Sequence, residues 1–87
     1  MASPTREQVA QDTLSILKRV SNRPIEPTLE SEVVGDLGFD SILVLELVAE
    51  LEDHFDISVP LNNLAQIKTV GQMVDHIKTL CDRRAEA

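Results

Sequence analysis

Aromatic residues are almost absent from this sequence, which has no Trp, no Tyr and two Phe, Phe39 and Phe55. A folded interior must therefore be built from Leu, Ile and Val. Basic residues are also few, because 8 Lys and Arg stand against 15 Asp and Glu, for a formal net charge of −7. A chain this acidic repels phosphate backbones and offers few rings on which bases could stack. Both shortages argue against a nucleic-acid-binding function.

Cysteine and long hydrophobic runs are scarce as well. The single cysteine, Cys81, cannot form a disulfide within the chain, which is typical of proteins in a reducing cytoplasm. The longest apolar run, residues 42–45, is far shorter than the roughly 20 residues that a membrane-spanning helix needs. The polar start, residues 2–6, is unlike a signal peptide. We therefore expect a cytoplasmic protein with no membrane span.

Helical periodicity is what the sequence does contain, over 87 residues of which 43% are hydrophobic. Thr5 and Gln8 have capping-box spacing at the predicted start of the first helix, and Thr69 and Gln72 repeat it before the last helix. The second helix is predicted from an apolar stripe, Val44, Leu47, Val48, Leu51 and Phe55. A short third helix is expected over residues 61–67. The prediction is an all-α fold, a four-helix bundle with three longer helices and one short third helix.

The domain organisation follows from length and pattern. We expect a single domain over residues 1–87, with a core of about residues 5–82 and a frayed polar tail at 83–87. A long connection at about residues 22–40 separates the first two helices. Its apolar side chains are expected to pack over the core: Ile25, Leu29, Val33, Val34 and Leu37.

Charge is distributed unevenly along the chain. Residues 24–67 hold ten acidic residues and no basic one, whereas the remaining residues hold five acidic and eight basic ones. On the second helix, Glu46, Glu50 and Asp53 fall on one face. An ordinary solvated helix face would account for this stripe. The absence of bases nearby in the sequence favours a surface that binds a basic partner.

Candidate catalytic residues are few. Cys81 lies on the apolar stripe of the last helix, where packing is the simpler interpretation of a thiol. His54 and His76 are the only histidines, and His54 is expected on the solvated face of the second helix. The sequence has neither a metal-ligand spacing nor a glycine-rich phosphate loop before a helix. It predicts no catalysis by this chain and no metal site.

Ser41 is the remaining candidate. It follows a turn bracketed by Gly35 and Gly38, both of which can adopt the positive φ that a tight turn needs, and stands beside Asp40 at the start of the second helix. The structural interpretation is a helix N-cap, a position that favours Ser and Asp. The functional interpretation is a hydroxyl that carries a phosphodiester, because a helix N-terminus favours negative charge. The two interpretations are compatible.

The turn and the helix start resemble the attachment motif of acyl carrier proteins, an Asp-Ser-Leu sequence after a Leu-Gly turn. The matching residues here are Asp36-Leu37-Gly38-Phe39-Asp40-Ser41-Ile42. The resemblance continues along the chain at residues 46–48, 51–52, 55–57, 59–60 and 68–70. It covers about residues 9–80. It implies a four-helix bundle whose Ser41, with Asp40 as motif neighbour, receives a 4′-phosphopantetheine arm from coenzyme A.

The family resemblance also implies partners and a surface on which they dock. A phosphopantetheinyl transferase attaches the arm, whose thiol then carries acyl groups as thioesters between enzymes. Further expected partners are acyl-transferring, condensing or acyl-activating enzymes with basic docking surfaces, and the carrier itself is expected to be a monomer. The expected partner-binding residues lie beside Ser41 on the second helix: Ile42, Leu43, Leu45, Glu46, Ala49, Glu50 and Asp53.

Two departures from the fatty-acid-synthesis pattern bear on the pathway. That pattern usually has an acid two residues after the serine, where this chain has Leu43, and acids in the short third helix, where it has Asn62 and Asn63. These departures favour a specialised fatty-acid, polyketide or lipid pathway. A peptidyl or aminoacyl carrier, and an unmodified helical adaptor for a basic partner, stay open as alternatives.

Overall fold

The computed structural model describes residues 3–86, which form four helices. They are α1 (Arg6–Val20), α2 (Ser41–Phe55), α3 (Leu61–Leu64) and α4 (Val70–Glu86). The predicted all-α fold with a short third helix is confirmed. Helix α3 is shorter than expected, because after it the chain forms a tight turn in which the Ile67 N–H donates to the Leu64 carbonyl oxygen at 3.1 Å.

Both predicted capping boxes are present. At the start of α1, the Gln8 N–H donates to Thr5 Oγ1 at 3.1 Å and the Thr5 N–H donates to Gln8 Oε1 at 3.0 Å. Thr69 and Gln72 exchange the same two bonds before α4, at 3.1 and 3.0 Å. Each box satisfies backbone N–H groups that a helix end would otherwise leave without partners.

Helix α1 packs against both α2 and α4. It runs antiparallel to α2, because Asp12 pairs with His54 near the end of α2 while the later Arg19 pairs with the earlier Glu50. The most deeply buried side chains come from the three long helices and from the connection: Val9, Thr13, Ile16, Leu17, Phe39, Leu47, Leu51, Val70, Val74 and Ile77. Each large aliphatic or aromatic side chain buried in this way stabilises the fold by about 1.5–3 kcal/mol.

The long connection between α1 and α2 is pinned to the start of α4. The Val33 N–H donates to the Lys68 carbonyl oxygen at 3.0 Å, and the Val70 N–H donates to the Ser31 carbonyl oxygen at 2.9 Å. The Gly71 N–H donates to the Leu29 carbonyl oxygen at 2.7 Å, an approach so close that a Cβ at Gly71 would lie 3.0 Å from that oxygen. The connection is therefore an ordered part of the fold.

One expectation about the connection was wrong, and one of its two turn glycines has an ordinary backbone. Val34 is 65% exposed instead of packing over the core, although its neighbour Val33 is buried. Gly38 has a φ of +73°, but Gly35 does not have a positive φ. The turn at Gly35 is closed by the Glu32 carbonyl oxygen, which accepts hydrogen bonds from the N–H groups of Asp36 and Leu37. No left-handed residue is needed there.

The C-terminal residues are helical where a frayed tail was predicted. Helix α4 continues through Glu86, and Ala87 lies outside the described residues. Arg84 Nη2 lies 2.6 Å from Asp56 Oδ2 at the end of α2, which holds the last turn of α4. Arg83 and Arg84 also place positive charge where the helix dipole is negative.

Candidate functional site

Asp40, not Ser41, caps helix α2. Its Oδ1 accepts a hydrogen bond from the Leu43 N–H at 2.8 Å, and its carbonyl oxygen accepts one from the Val44 N–H at 2.9 Å. Ser41 is the first helical residue and is exposed. The structural interpretation of Ser41 as the cap is therefore wrong, and its hydroxyl stands at the helix N-terminus open to solvent.

The turn before Ser41 is held by buried anchors. Phe39 is 1% exposed, and its N–H donates to the Val33 carbonyl oxygen at 3.2 Å. Leu37 is buried as well, so Gly38 lies between two anchors, and its left-handed backbone allows the chain to turn there. Because Phe39 is fixed in the core, the position of Ser41 two residues later is fixed too.

An apolar patch lies on the exposed surface of α2. Ile42 and Leu45 are 66% and 53% exposed, one and four positions after Ser41. Val34, in the connection, is also an exposed large hydrophobic residue. Sequence reasoning missed Val34 as a surface residue. Val33 and Val34 both lie in a turn over residues 33–37, so no regular side-chain periodicity in the sequence distinguishes the buried one from the exposed one.

Leu43 differs from the other predicted partner-binding residues. It is only partly exposed and packs against the core cluster. On a helix, a residue two positions after the exposed Ser41 is rotated well away from it, here towards the protein interior. Leu43 is therefore a packing residue at the edge of the core, and its apolar nature is explained by that contact.

The acidic residues of the predicted partner surface are exposed. Glu46, Ala49, Glu50 and Asp53 all lie on the solvent side of α2. Glu50 is not free of bases, however, because Arg19 Nη2 of α1 lies 2.8 Å from its Oε2. Residues 24–67 contain no base, but in the folded protein Arg19, from outside this range, contacts one of their carboxylates.

A small apolar cavity of about 90 Å³ lies where the connection, α2, the end of α3 and α4 meet. Its lining residues are Val33, Val34, Val44, Leu64, Ile67 and Met73. This space is about three times the volume of roughly 30 Å³ that a water molecule occupies in the liquid. Only apolar side chains line it.

Two of the candidate catalytic side chains, His54 and Cys81, line one pocket of about 200 Å³ near the end of α2. Cys81 is buried, and burial raises the pKa of its thiol, so the thiol stays protonated near neutral pH. His54 is exposed, as predicted, and its Nε2 lies 3.0 Å from Asp12 Oδ2. Residues 3–86 contain no group of three or more His, Cys, Asp or Glu side chains placed to hold a metal ion.

The helices of the described chain also bear on membrane association. None of those within residues 3–86 combines the length and the apolar character that a membrane crossing requires.

Comparisons with known proteins identify the family. Residues 11–77 match the family model described as the phosphopantetheine attachment site. An acyl carrier protein of Amoebophilus asiaticus is 41% identical over 63 residues, which cover 72% of this chain and 79% of the relative. A meromycolate extension acyl carrier protein of Mycolicibacterium smegmatis is 32% identical over 84 residues, which cover 95% of this chain and 85% of the relative.

The fold gives the same result. A solved Mycobacterium tuberculosis structure described as that of an acyl carrier protein superposes with a TM-score of 0.76 at 31% identity. The superposition covers 82% of this chain and 96% of that one. The family match spans the turn before Ser41, helix α2 and about the first half of α4. This chain belongs to the acyl carrier protein family, whose cofactor is covalently attached 4′-phosphopantetheine.

Proposed function

We propose that Ser41 carries the 4′-phosphopantetheine arm and that this chain works as an acyl carrier. The observation that carries the proposal is the exposed hydroxyl of Ser41 on the first residue of α2, directly after the capping Asp40. A transferase can reach this hydroxyl in the folded protein, because Ser41 is exposed. The buried side chain of Phe39 anchors the turn that precedes Ser41.

The residues around Ser41 fit a phosphodiester. The first N–H groups of α2 have no partners within the helix, and the positive end of the helix dipole lies there, so negative charge is favoured. The Asp40 carboxylate is already engaged by the Leu43 N–H. On attachment, Ser41 Oγ gives up its proton and bonds to the pantetheine-linked phosphorus of coenzyme A, while the P–O bond of the pyrophosphate breaks and adenosine 3′,5′-bisphosphate leaves. The bound arm supplies a thiol on which acyl groups travel as thioesters.

The partner-binding surface that we propose is the exposed face of α2. Ile42, Leu45 and Ala49 supply its apolar part, and Glu46, Glu50 and Asp53 supply its charge. Enzymes with basic surfaces fit it by charge complementarity, which mainly raises the rate of encounter. The expected partners are a phosphopantetheinyl transferase and acyl-transferring, condensing or acyl-activating enzymes.

The proposed carrier role also concerns domain organisation, catalysis and location in the cell. We propose that residues 1–87 form a single carrier domain that is monomeric and performs no catalysis itself, because its one thiol is buried. It works in the cytoplasm, where the transferase finds coenzyme A. The buried, protonated Cys81 is consistent with a structural role and not with acyl transfer.

The pathway that we propose is a specialised lipid or fatty-acid pathway. Asn62 and Asn63 stand in the third helix where the fatty-acid-synthesis pattern usually has acids, and Asn62 is exposed. The named role of the Mycolicibacterium smegmatis relative, meromycolate extension, supports this direction. The test compares the protein with its Asn62→Asp, Asn63→Asp variant as substrates of a housekeeping elongation enzyme. The wild type should be used less well, and equal use would contradict the specialisation.

The attachment itself is tested by intact-protein mass after incubation of the apo protein with coenzyme A and a phosphopantetheinyl transferase. Wild type should gain one arm, Ser41→Ala should gain none, and Ser58→Ala, at another exposed serine, should gain one. Modification of Ser41→Ala would overturn the assignment. An unmodified wild type would favour the helical adaptor, and loading by an amino-acid-adenylating enzyme would favour the aminoacyl carrier.

A further inference from the structure

Arg19 forms an ion pair with one of the carboxylates on the acidic face of α2. Its Nη2 atom lies 2.8 Å from Glu50 Oε2, within hydrogen-bonding distance. The two side chains are 62% and 48% exposed, so an incoming protein could reach both of them. The base comes from the last turns of α1, 31 residues away in the sequence.

An open groove of about 450 Å³ between α1 and α2 surrounds this ion pair. Its lining residues are Arg19, Val20, Glu46, Ala49 and Glu50. Glu46 and Glu50 are one helical turn apart, so their carboxylates can face the same cation. Val20 and Ala49 provide an apolar floor of the kind on which a long basic side chain lays its stem. The side chain of Arg19 already lines this groove and pairs with Glu50.

We infer that Arg19 is an internal competitor for a basic side chain of the partner enzyme at Glu50. This inference rests on the proposed function of α2 as the docking surface. A partner Arg or Lys enters the groove by displacing the Arg19 guanidinium from Glu50, and Arg19 then moves into solvent. Exposed ion pairs typically change an equilibrium by about 1.5- to 5-fold, so the competition weakens docking by a factor in that range.

Lys18 provides a matched control. It is the neighbouring base on α1 and removes the same charge when replaced by Gln. Its Nζ lies 4.0 Å from Glu26 Oε2 in the connection, away from α2. If net charge alone mattered, Arg19→Gln and Lys18→Gln would act equally on a basic partner. If the contact with Glu50 matters, Arg19→Gln has a larger effect than Lys18→Gln.

The experiment measures KM of a phosphopantetheinyl transferase for the apo protein at low salt. Arg19→Gln should lower KM by about 2- to 5-fold, and Lys18→Gln should change it less. In a Glu50→Gln background, Arg19→Gln should have no larger effect than Lys18→Gln, because the blocked carboxylate is gone. Equal effects of the two single variants, a raised KM for Arg19→Gln, or a full effect in the Glu50→Gln background would each overturn the inference.

A second measurement separates this inference from the assignment of Ser41. Binding of a short oligo-arginine peptide is titrated for the same variants in the Ser41→Ala background, where no arm can be attached. Arg19→Gln should again bind more tightly than Lys18→Gln by about 2- to 5-fold, and loss of this difference would overturn the competition. A wild type that the transferase leaves unmodified would count against the proposed function, while the peptide result would still decide the role of Arg19.

Discussion

The Asp40 carboxylate accepts a 2.8 Å hydrogen bond from the Leu43 backbone N–H, so α2 is capped by the residue before Ser41. Capping and the proposed attachment thus fall on two neighbouring residues. Asp40 stabilises the helix start, and Ser41 keeps an exposed hydroxyl that no capping bond withdraws from solvent. This division predicts separable effects of substitutions at the two positions.

Ser41→Ala should abolish modification and leave stability nearly unchanged, because the cap is retained. Asp40→Ala should lower the free energy of unfolding by about 1 kcal/mol, the usual cost of losing an N-cap side chain. Urea unfolding of both apo variants checks this. A loss of about 1 kcal/mol in Ser41→Ala instead would mean that the serine takes part in the cap.

Gly38→Ala should destabilise the turn that precedes the proposed attachment site. Its φ of +73° is unfavourable for residues with a Cβ, by roughly 1–2 kcal/mol. The added Cβ would also lie 2.6 Å from Arg23 Nη2, although this flexible side-chain end can move aside. Unfolding free energy and the rate of Ser41 modification should both fall.

Gly35→Ala is the control for this prediction. Gly35 lacks a positive φ, and the atom nearest to an added Cβ is the side-chain Glu32 Oε1, at 2.7 Å. The cost should be smaller than at Gly38. Equal costs would show that backbone strain is not the cause.

Charge reversal on α2 should slow attachment of the arm. Glu46→Lys combined with Glu50→Lys should reduce the rate of transfer by a basic transferase and make that rate less sensitive to salt, because exposed charges mainly steer encounter. Transfer kinetics at several salt concentrations provide the measurement. Reversal of Glu30 and Glu86, which lie outside α2, changes net charge equally and should slow transfer less.

Added salt should raise the melting temperature. Ten acidic residues lie in residues 24–67 and repel one another, and the Debye length falls to about 10 Å at 0.1 M salt. Some of this repulsion is already offset by bases from outside the stretch, such as Lys68, whose Nζ lies 3.8 Å from Glu32 Oε2. Relief of about 1 kcal/mol would raise the melting temperature by about 4–8 °C.

Divalent cations should act more strongly than sodium at matched ionic strength. One Mg²⁺ or Ca²⁺ can interact with two neighbouring carboxylates, which a sodium ion does weakly. Calorimetric scans in sodium, magnesium and calcium chloride compare the three ions. A melting temperature that is unchanged in all of them would show that the carboxylates are too dispersed to matter.

Stability should fall at alkaline pH through Cys81. Burial, and secondarily the charge of Asp82, raises the pKa of the thiol above its ordinary value of 9.0. Above pH 9 the folded protein therefore keeps a thiol proton that the unfolded chain releases. The contribution of Cys81 to the free energy of unfolding is fully present below pH 9 and is lost as the pH rises further. Urea unfolding as a function of pH should show a steeper decline for the wild type than for Cys81→Ala, and parallel curves would contradict it.

The helix starts and the attachment motif could be predicted from the sequence because the interactions that define them are local. The bonds between Thr5 and Gln8 join residues three positions apart, and the same holds for Thr69 and Gln72. Asp40 and Ser41 are adjacent, so no knowledge of the fold was needed to identify them as a pair. The apolar stripe of α2 likewise depends only on the period of the helix.

The tertiary structure alone decided which charges meet and which side chains face solvent. Arg19 reaches Glu50 across 31 residues and Arg84 reaches Asp56 across 28, so a count along the chain shows a base-free region that does not exist in space. The outward direction of Val34 depends on how the connection pairs with the start of α4. Such contacts are set by helix packing and loop closure, which join residues that no local pattern relates.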